Sequence, residues 1–312
     1  MPTLSTFIFA ACSDASFIAH TVPGLLQMLK KVDSKPVVTV DTSSPGGVLG
    51  KSLSQADLPQ LAKKLESMQT QEHPFHIEKF SPELTKVKNL SVQHFGYPHR
   101  ETHCFRGYPI HGSIRQFHQK DSDYILHLDC DMLFYEDAGF SWIEKGIRVM
   151  EENEDILCIL PRGGPPTNDG ELHQGTTCYE KDESRGLYLF KNFTSRHYLM
   201  HKKRFLSLLP MKPEWLSWRE PIKSRFFGNG KMLCWETTVE KSLEKSSLWR
   251  ADLMTEKAWS LHPGERNDDF YRLLPQIVKY ISKGIFPEKQ AGHFDVRFND
   301  WDVFITRLIG TK

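Results

Sequence analysis

The sequence predicts an α/β fold, an open and mostly parallel sheet flanked by helices, followed by a less regular C-terminal region. Three observations lead there. Short β-prone runs alternate with helical periodicity through the first half of the chain, as in parallel strands joined by helical crossovers. One run, Asp123-Tyr-Ile-Leu-His-Leu-Asp129, is almost continuously apolar, as expected of a strand covered on both faces. The composition is ordinary for a globular chain, with 312 residues, 39% hydrophobic and 25% charged.

The elements follow in order. Thr6–Ala11 is a compact β-prone run ending in Ser13 and Asp14, and a helical pattern opens at His20. Lys35–Asp41 is a second strand with an acid at its end. Ser54 with Asp57 resembles a capping box for a helix over Asp57–Met68. Phe75–Phe80 is a third strand, Tyr108–Gln119 a helix, and Asp123–Asp129 the buried strand. A helix near 140–152 precedes a strand at Ile156–Leu160. In the second half, strands are expected at Leu187–Lys191 and His197–His201, and helices at Met232–Lys245 and Asp269–Lys283. The halves 1–160 and 161–312 are expected to share one core. In open α/β sheets ligands bind beyond the carboxyl ends of the strands. The residues to examine are therefore Ser13, Asp14, Asp41, Asp129, Asp131 and Arg162.

The charge balance, 40 basic against 39 acidic residues, gives no reason to expect a nucleic-acid partner. The apolar run near the N-terminus is short and lacks a basic lead, and no stretch reaches the length of a membrane span. A cytoplasmic protein without a transmembrane segment is the expectation. Six scattered cysteines with no CxxC pair read as reduced thiols.

The strongest chemical signal is His127-Leu-Asp129-Cys-Asp131-Met-Leu-Phe134. Two carboxylates two residues apart, just past a buried strand, can hold a hard divalent cation that also binds phosphate oxygens. Taken alone, the triplet reads better as a strand ending in two solvated acids. Downstream, Gly228-Asn-Gly-Lys-Met-Leu-Cys-Trp-Glu236-Thr-Thr-Val-Glu240 places Glu236 105 positions after Asp131, ahead of a helical pattern, with Glu240 one turn further on the same face. A third segment is Trp259-Ser-Leu-His262-Pro-Gly-Glu-Arg266.

Together, the opening strand, the acid-tipped strand ending at Asp41 and the Tyr124–Asp131 segment resemble the GT-A fold glycosyltransferases, nearest the family-2-like group with a DxD motif. The resemblance spans roughly residues 5–265. It implies a GT-A (Rossmann-like) fold, with a nucleotide-sugar-binding half over 1–160 and an acceptor-side half over 161–312. It implies donor binding by Asp41 and Asp129, and a metal held by Asp129, Asp131 and His262; Ser13 and Arg162 join the donor-binding candidates by their position at strand ends. Imidazole in the ligand set favours Mn²⁺ over Mg²⁺. It implies further that Glu236, or Glu240 as the alternative, is the general base toward an acceptor hydroxyl in an inverting displacement. Glu-Thr stands here where the group carries an acidic pair. The partners implied are a nucleotide-sugar donor and an acceptor that is a glycan, lipid, protein or small molecule.

Lys181 and Arg185 are further candidates for a diphosphate, and Trp215, Trp218 and Trp235 for stacking on sugar rings. Two rival functions remain. A phosphoryl-transfer enzyme is disfavoured by Leu133 at the position where such enzymes carry Thr or Val. A catalytically silent relative with the same fold would lose metal or donor binding.

Overall fold

The computed structural model describes residues 2–42, 58–70, 74–80, 83–119, 121–173 and 178–310. β1 (Leu4–Ala11), α1 (Ile18–Leu29), β2 (Val37–Asp41), α2 (Leu58–Met68) and β3 (His76–Phe80) alternate at the start. α3 (Leu84–Phe95), α4 (His111–Gln119) and β4 (Tyr124–Asp129) follow, then β5 (Leu133–Glu136), α5 (Trp142–Glu152), β6 (Ile156–Leu160) and β7 (Arg162–Gly163). The remainder comprises β8 (Glu180–Asp182), β9 (Leu187–Phe190), β10 (His197–His201), α6 (Lys202–Leu206), α7 (Glu220–Phe227) and α8 (Trp235–Glu244). β11 (Trp249–Leu253), β12 (Ala258–Leu261), α9 (Asp268–Ile281) and α10 (Phe298–Gly310) complete it. Ser54 and Asp57 lie outside the described residues.

Among the described residues the main sheet has nine strands in the order β3-β2-β1-β4-β10-β6-β11-β9-β8. β3, β2, β1 and β4 pair in parallel, as do β6 and β11. β10 is antiparallel to β4 and β6, and β9 is antiparallel to β11 and β8. Seven strands thus share one direction and two oppose it, the mostly parallel α/β sheet expected from the sequence. β10 interrupts the simple crossover pattern because the chain leaves β6 through irregular backbone and the β8–β9 hairpin. Returning parallel would have needed a crossover, usually helical. β5, β12 and β7 form a separate small sheet.

The pleat sends alternate residues to two apolar layers. Ile8, Leu126 and Leu199 join the layer containing α1, α5 and α9, whereas Phe7, Ile125, Tyr198 and Met200 join the layer under α4 and α8. Each fully buried Leu or Ile here contributes about 2 kcal/mol. α5 and α9 are fixed at their starts by Ser141, which accepts from Glu144 N (3.3 Å), and Asn267, which accepts from Phe270 N (3.0 Å). Behind the α9 cap, Phe270, Leu273, Leu274, Ile277 and Ile281 make one buried stripe.

Candidate active site

Strand register builds the floor of the site. Asp41 pairs with Ala11, and Phe9 with Asp129, so the carboxyl ends of β2, β1 and β4 form one rim. A cleft of about 490 Å³ opens over that rim, a volume ordinary for a small-molecule site. Ser13, Asp41, Asp129, Asp131, Glu236 and His262 all line it. Residues from five distant stretches of chain are thus brought together, as anticipated from their positions at element ends. Asp14, His103, Tyr108, Arg196, Arg266 and Tyr271 line it too.

Two arginines hold the acids. Arg266 donates through Nη2 to Asp131 Oδ2 (2.7 Å), and through Nη1 to Asp14 Oδ1 (2.6 Å) and Ser13 Oγ (3.3 Å). Its guanidinium also lies 4.7 Å from the centre of the Phe17 ring. Arg196 approaches Asp129 Oδ2 at 3.5 Å and stacks at 5.4 Å over Tyr108. Asp131 is only 2% exposed. Burial works against its ionisation, but Arg266, His262 and Arg196 together hold its carboxyl below the usual value. Burial likewise opposes the charge on Arg196 and Arg266, and their carboxylate neighbours more than offset it, so both stay firmly protonated.

Asp129 is oriented from behind, its Oδ1 3.2 Å from His127 Nε2. The His127 ring in turn lies 3.2 Å from Gln116 Oε1 and stacks on Tyr198. At the other wall, Glu236 sits in the first turn of α8, where the helix dipole favours a carboxylate. Its Oε1 accepts from Ser195 N (2.7 Å) and Ser195 Oγ (2.9 Å). Ser195 and Arg196 immediately precede β10, so that one antiparallel strand start positions both Glu236 and the partner of Asp129. His262 follows β12, and Gly264, at φ +67°, turns the chain so that Arg266 reaches back to the same acids. His103 Nε2 stands 4.0 Å from Asp41 Oδ2. Burial lowers its pKa and Asp41 partly restores it.

Two expected site residues are not in the cleft. Arg162 belongs to β7 of the small sheet. Its buried guanidinium donates to Tyr188 OH (2.9 Å), Thr167 Oγ1 (3.0 Å) and Glu171 O (3.0 Å), tying down the loop that follows. Glu240 lies one turn along α8 and does not line the cleft, and burial raises its carboxyl pKa. Lys181 pairs with Glu171, and Arg185 with Asp155 and Asp182, all away from the cleft. Of the tryptophans only Trp235 reaches it. Trp215 donates to Tyr97 OH (2.9 Å), and Trp218 is 74% exposed elsewhere.

The residues can be tested against the implied metal. Among the described residues no three His, Cys, Asp or Glu side chains already converge as a chelate, and Arg266 occupies one oxygen of Asp131. The other oxygen, Oδ1, is buried without a hydrogen-bond partner, a costly state that a cation would relieve. His262 Nε2 is 3.9 Å from Asp131 Oδ2. Five carboxylates, Asp14, Asp41, Asp129, Asp131 and Glu236, face two guanidiniums, so a diphosphate could enter only with further positive charge. This donor set fits a divalent cation.

No protein-family model matches the chain, and no curated protein matches it. Among solved structures it is similar to galactosyltransferase LgtC in complex with donor and acceptor sugar analogues, at 13% identity over 65% of this chain and 59% of that one, TM-score 0.31. It is similar to the mannosyltransferase PcManGT from Pyrobaculum calidifontis in complex with GDP-Man and Mn²⁺, at 8% identity over 67% of this chain and 47% of that one, TM-score 0.36. It is also similar to UDP-glucose pyrophosphorylase complexed with UDP-glucose, at 10% identity over 89% and 99% of the two chains, TM-score 0.43. The aligned region thus spans about three fifths of LgtC and under half of PcManGT. Likeness at this level carries no functional weight; the cleft residues do.

Proposed function

We propose that the chain is a glycosyltransferase that moves a sugar from a nucleotide-sugar donor to an acceptor hydroxyl by direct, inverting displacement. One observation carries the reading: Asp129 and Asp131, at the carboxyl end of β4, share a cleft with Glu236 from the start of α8. An acid pair for the diphosphate end and a separate carboxylate for the acceptor are what such a reaction needs.

Asp129, Asp131 and His262 would hold a divalent cation, Mn²⁺ in preference to Mg²⁺, which when bound supplies Lewis-acid neutralisation of the departing nucleoside diphosphate. Asp41 and Ser13, at the ends of β2 and β1, are assigned to the nucleoside. Arg196, its charge secured by the acids around it, is assigned to the diphosphate oxygens. Glu236 is the general base. With Oε1 engaged by Ser195, Oε2 takes the acceptor hydroxyl proton. The acceptor oxygen bonds to the anomeric carbon as the bond from that carbon to the diphosphate oxygen breaks. The test is release of a nucleoside diphosphate from a panel of UDP-, GDP- and dTDP-sugars in Mn²⁺, Mg²⁺ or EDTA, comparing wild type with Asp131→Ala.

A second reading is favoured by the arginines already pairing both acids. A catalytically silent relative would bind a nucleotide sugar without metal and leave it intact.

A further inference from the structure

The exposed apolar residues are not scattered. Trp218 (74%) and Phe227 (73%) are the most exposed large apolar side chains among the described residues, and Leu216, Ile222 and Phe226 stand close by in sequence, each at least half exposed. Trp218, Ile222 and Phe226 are spaced by four, so they form a stripe along α7 and the turn before it. An exposed apolar cluster of this kind marks a contact surface.

The segment is firmly seated. Trp215 pairs with Met232, and Leu233 N donates to Glu214 O (2.9 Å), closing its base. On its inner side the buried Glu220 accepts from Lys223 and from Lys231 N, and Gly230 N donates to Glu101. The apolar stripe therefore faces outward on an ordered scaffold whose polar groups are satisfied within.

Charge indicates what covers it. Lys212, Arg219, Lys223, Arg225 and Lys231 are all exposed in the same stretch, against Glu214 and the buried Glu220, in a chain whose net charge is +1. Arg219 lies 5.1 Å over Trp218, and Arg225 5.9 Å over Phe226. Aromatic bodies with cationic heads beside them suit the boundary between acyl chains and anionic headgroups. A second copy of this chain is a poorer fit, because two-fold pairing would bring five basic residues against five.

We propose that residues 212–231 form a membrane-docking surface for anionic lipid. The base of this segment leads directly into Cys234, Trp235 and Glu236 of the cleft wall, so docking would set that wall toward the bilayer. The proposal is independent of the transferase reading, because binding to lipid is measured without donor or acceptor.

The test is vesicle co-sedimentation of the full chain, using phosphatidylcholine alone and phosphatidylcholine mixed with phosphatidylglycerol. The expected result is binding to the mixed vesicles at least about tenfold stronger than to the neutral ones, weakened by salt. Trp218→Ser with Phe227→Ser is expected to reduce it by at least about tenfold, with near-ultraviolet circular dichroism and Tm unchanged. Wild type that fails to sediment with anionic vesicles would overturn the proposal. So would full binding by the folded double variant, or a wild-type oligomer that the double variant converts to monomer without vesicles, which would assign the surface to self-association.

Discussion

Arg266 bridges Asp14 and Asp131, with one guanidinium nitrogen 2.6 Å from the first and the other 2.7 Å from the second. The bridge joins the turn after β1 to the turn after β4, and it closes the cleft floor from a segment 135 residues downstream of Asp131. Removing it leaves two buried carboxylates without their main countercharge. Arg266→Ala is expected to cost about 3 kcal/mol, read as a loss in urea midpoint. Arg266→Lys should recover only part of it, because an ammonium cannot span two carboxylates as a fork does. Unchanged stability in Arg266→Ala would show that the bridge is not structural.

Glu236 and Glu240 separate cleanly by substitution. Glu236→Gln keeps a carbonyl oxygen to accept from Ser195, so the fold and donor binding should persist while transfer falls by at least about a hundredfold. Glu240→Gln, outside the cleft, should transfer at the wild-type rate. The measurement is steady-state transfer with donor affinity determined separately. A reversed pattern would move the base one helical turn along α8.

Arg196 and Arg162 make a second contrast. Arg196→Ala should weaken donor affinity by about tenfold or more, the scale of a lost charge-assisted hydrogen bond. Arg162→Ala should leave donor affinity alone and cost about 2 kcal/mol of stability, because its partners are Tyr188, Thr167 and Glu171 O. Calorimetric titration and thermal melts report the two effects independently.

These contrasts mark what the sequence could reveal. Asp129, Asp131 and Asp41 were legible because a buried apolar strand announces its own end, and acids just past it must face a sheet edge. Glu236 and His262 were legible from local pattern and the resemblance combined. Arg196 and Arg266 were not, since each lies in irregular backbone and its role depends on pairing across the fold. Arg162 looked like the other strand-end residues, but β7 joins the small sheet, a partition that no local periodicity encodes. For the same reason the two-residue β7, with β5 and β12, has no local signal, and nothing local marks Trp218, a candidate for stacking on sugar rings, as a surface group.

Acid sensitivity follows from the buried histidines around α3 and α4. Burial pushes His99 down to about 3 and His111 to about 4 from the ordinary 6.5, and it lowers His94 and His118 as well. The unfolded chain therefore binds more protons than the folded one over this interval. The stabilisation is complete above pH 6.5 and is lost as pH falls toward 4 and then 3. Urea midpoints should decline from pH 6.5 downward. Both ring nitrogens of His99 lack a hydrogen-bond partner among the described residues, so His99→Phe should shallow that decline and be neutral or stabilising by about 1 kcal/mol at neutral pH. A slope unchanged in that variant would remove His99 as a contributor.

The central claim is that the β4 acids and Glu236 form one nucleotide-sugar site. The most direct measurement is nucleoside diphosphate release from the nucleotide-sugar panel with Mn²⁺, for wild type and Asp131→Ala. Metal-dependent release from one donor, abolished by EDTA and in Asp131→Ala, is the predicted result. Absence of both binding and release across every donor and metal would contradict the account.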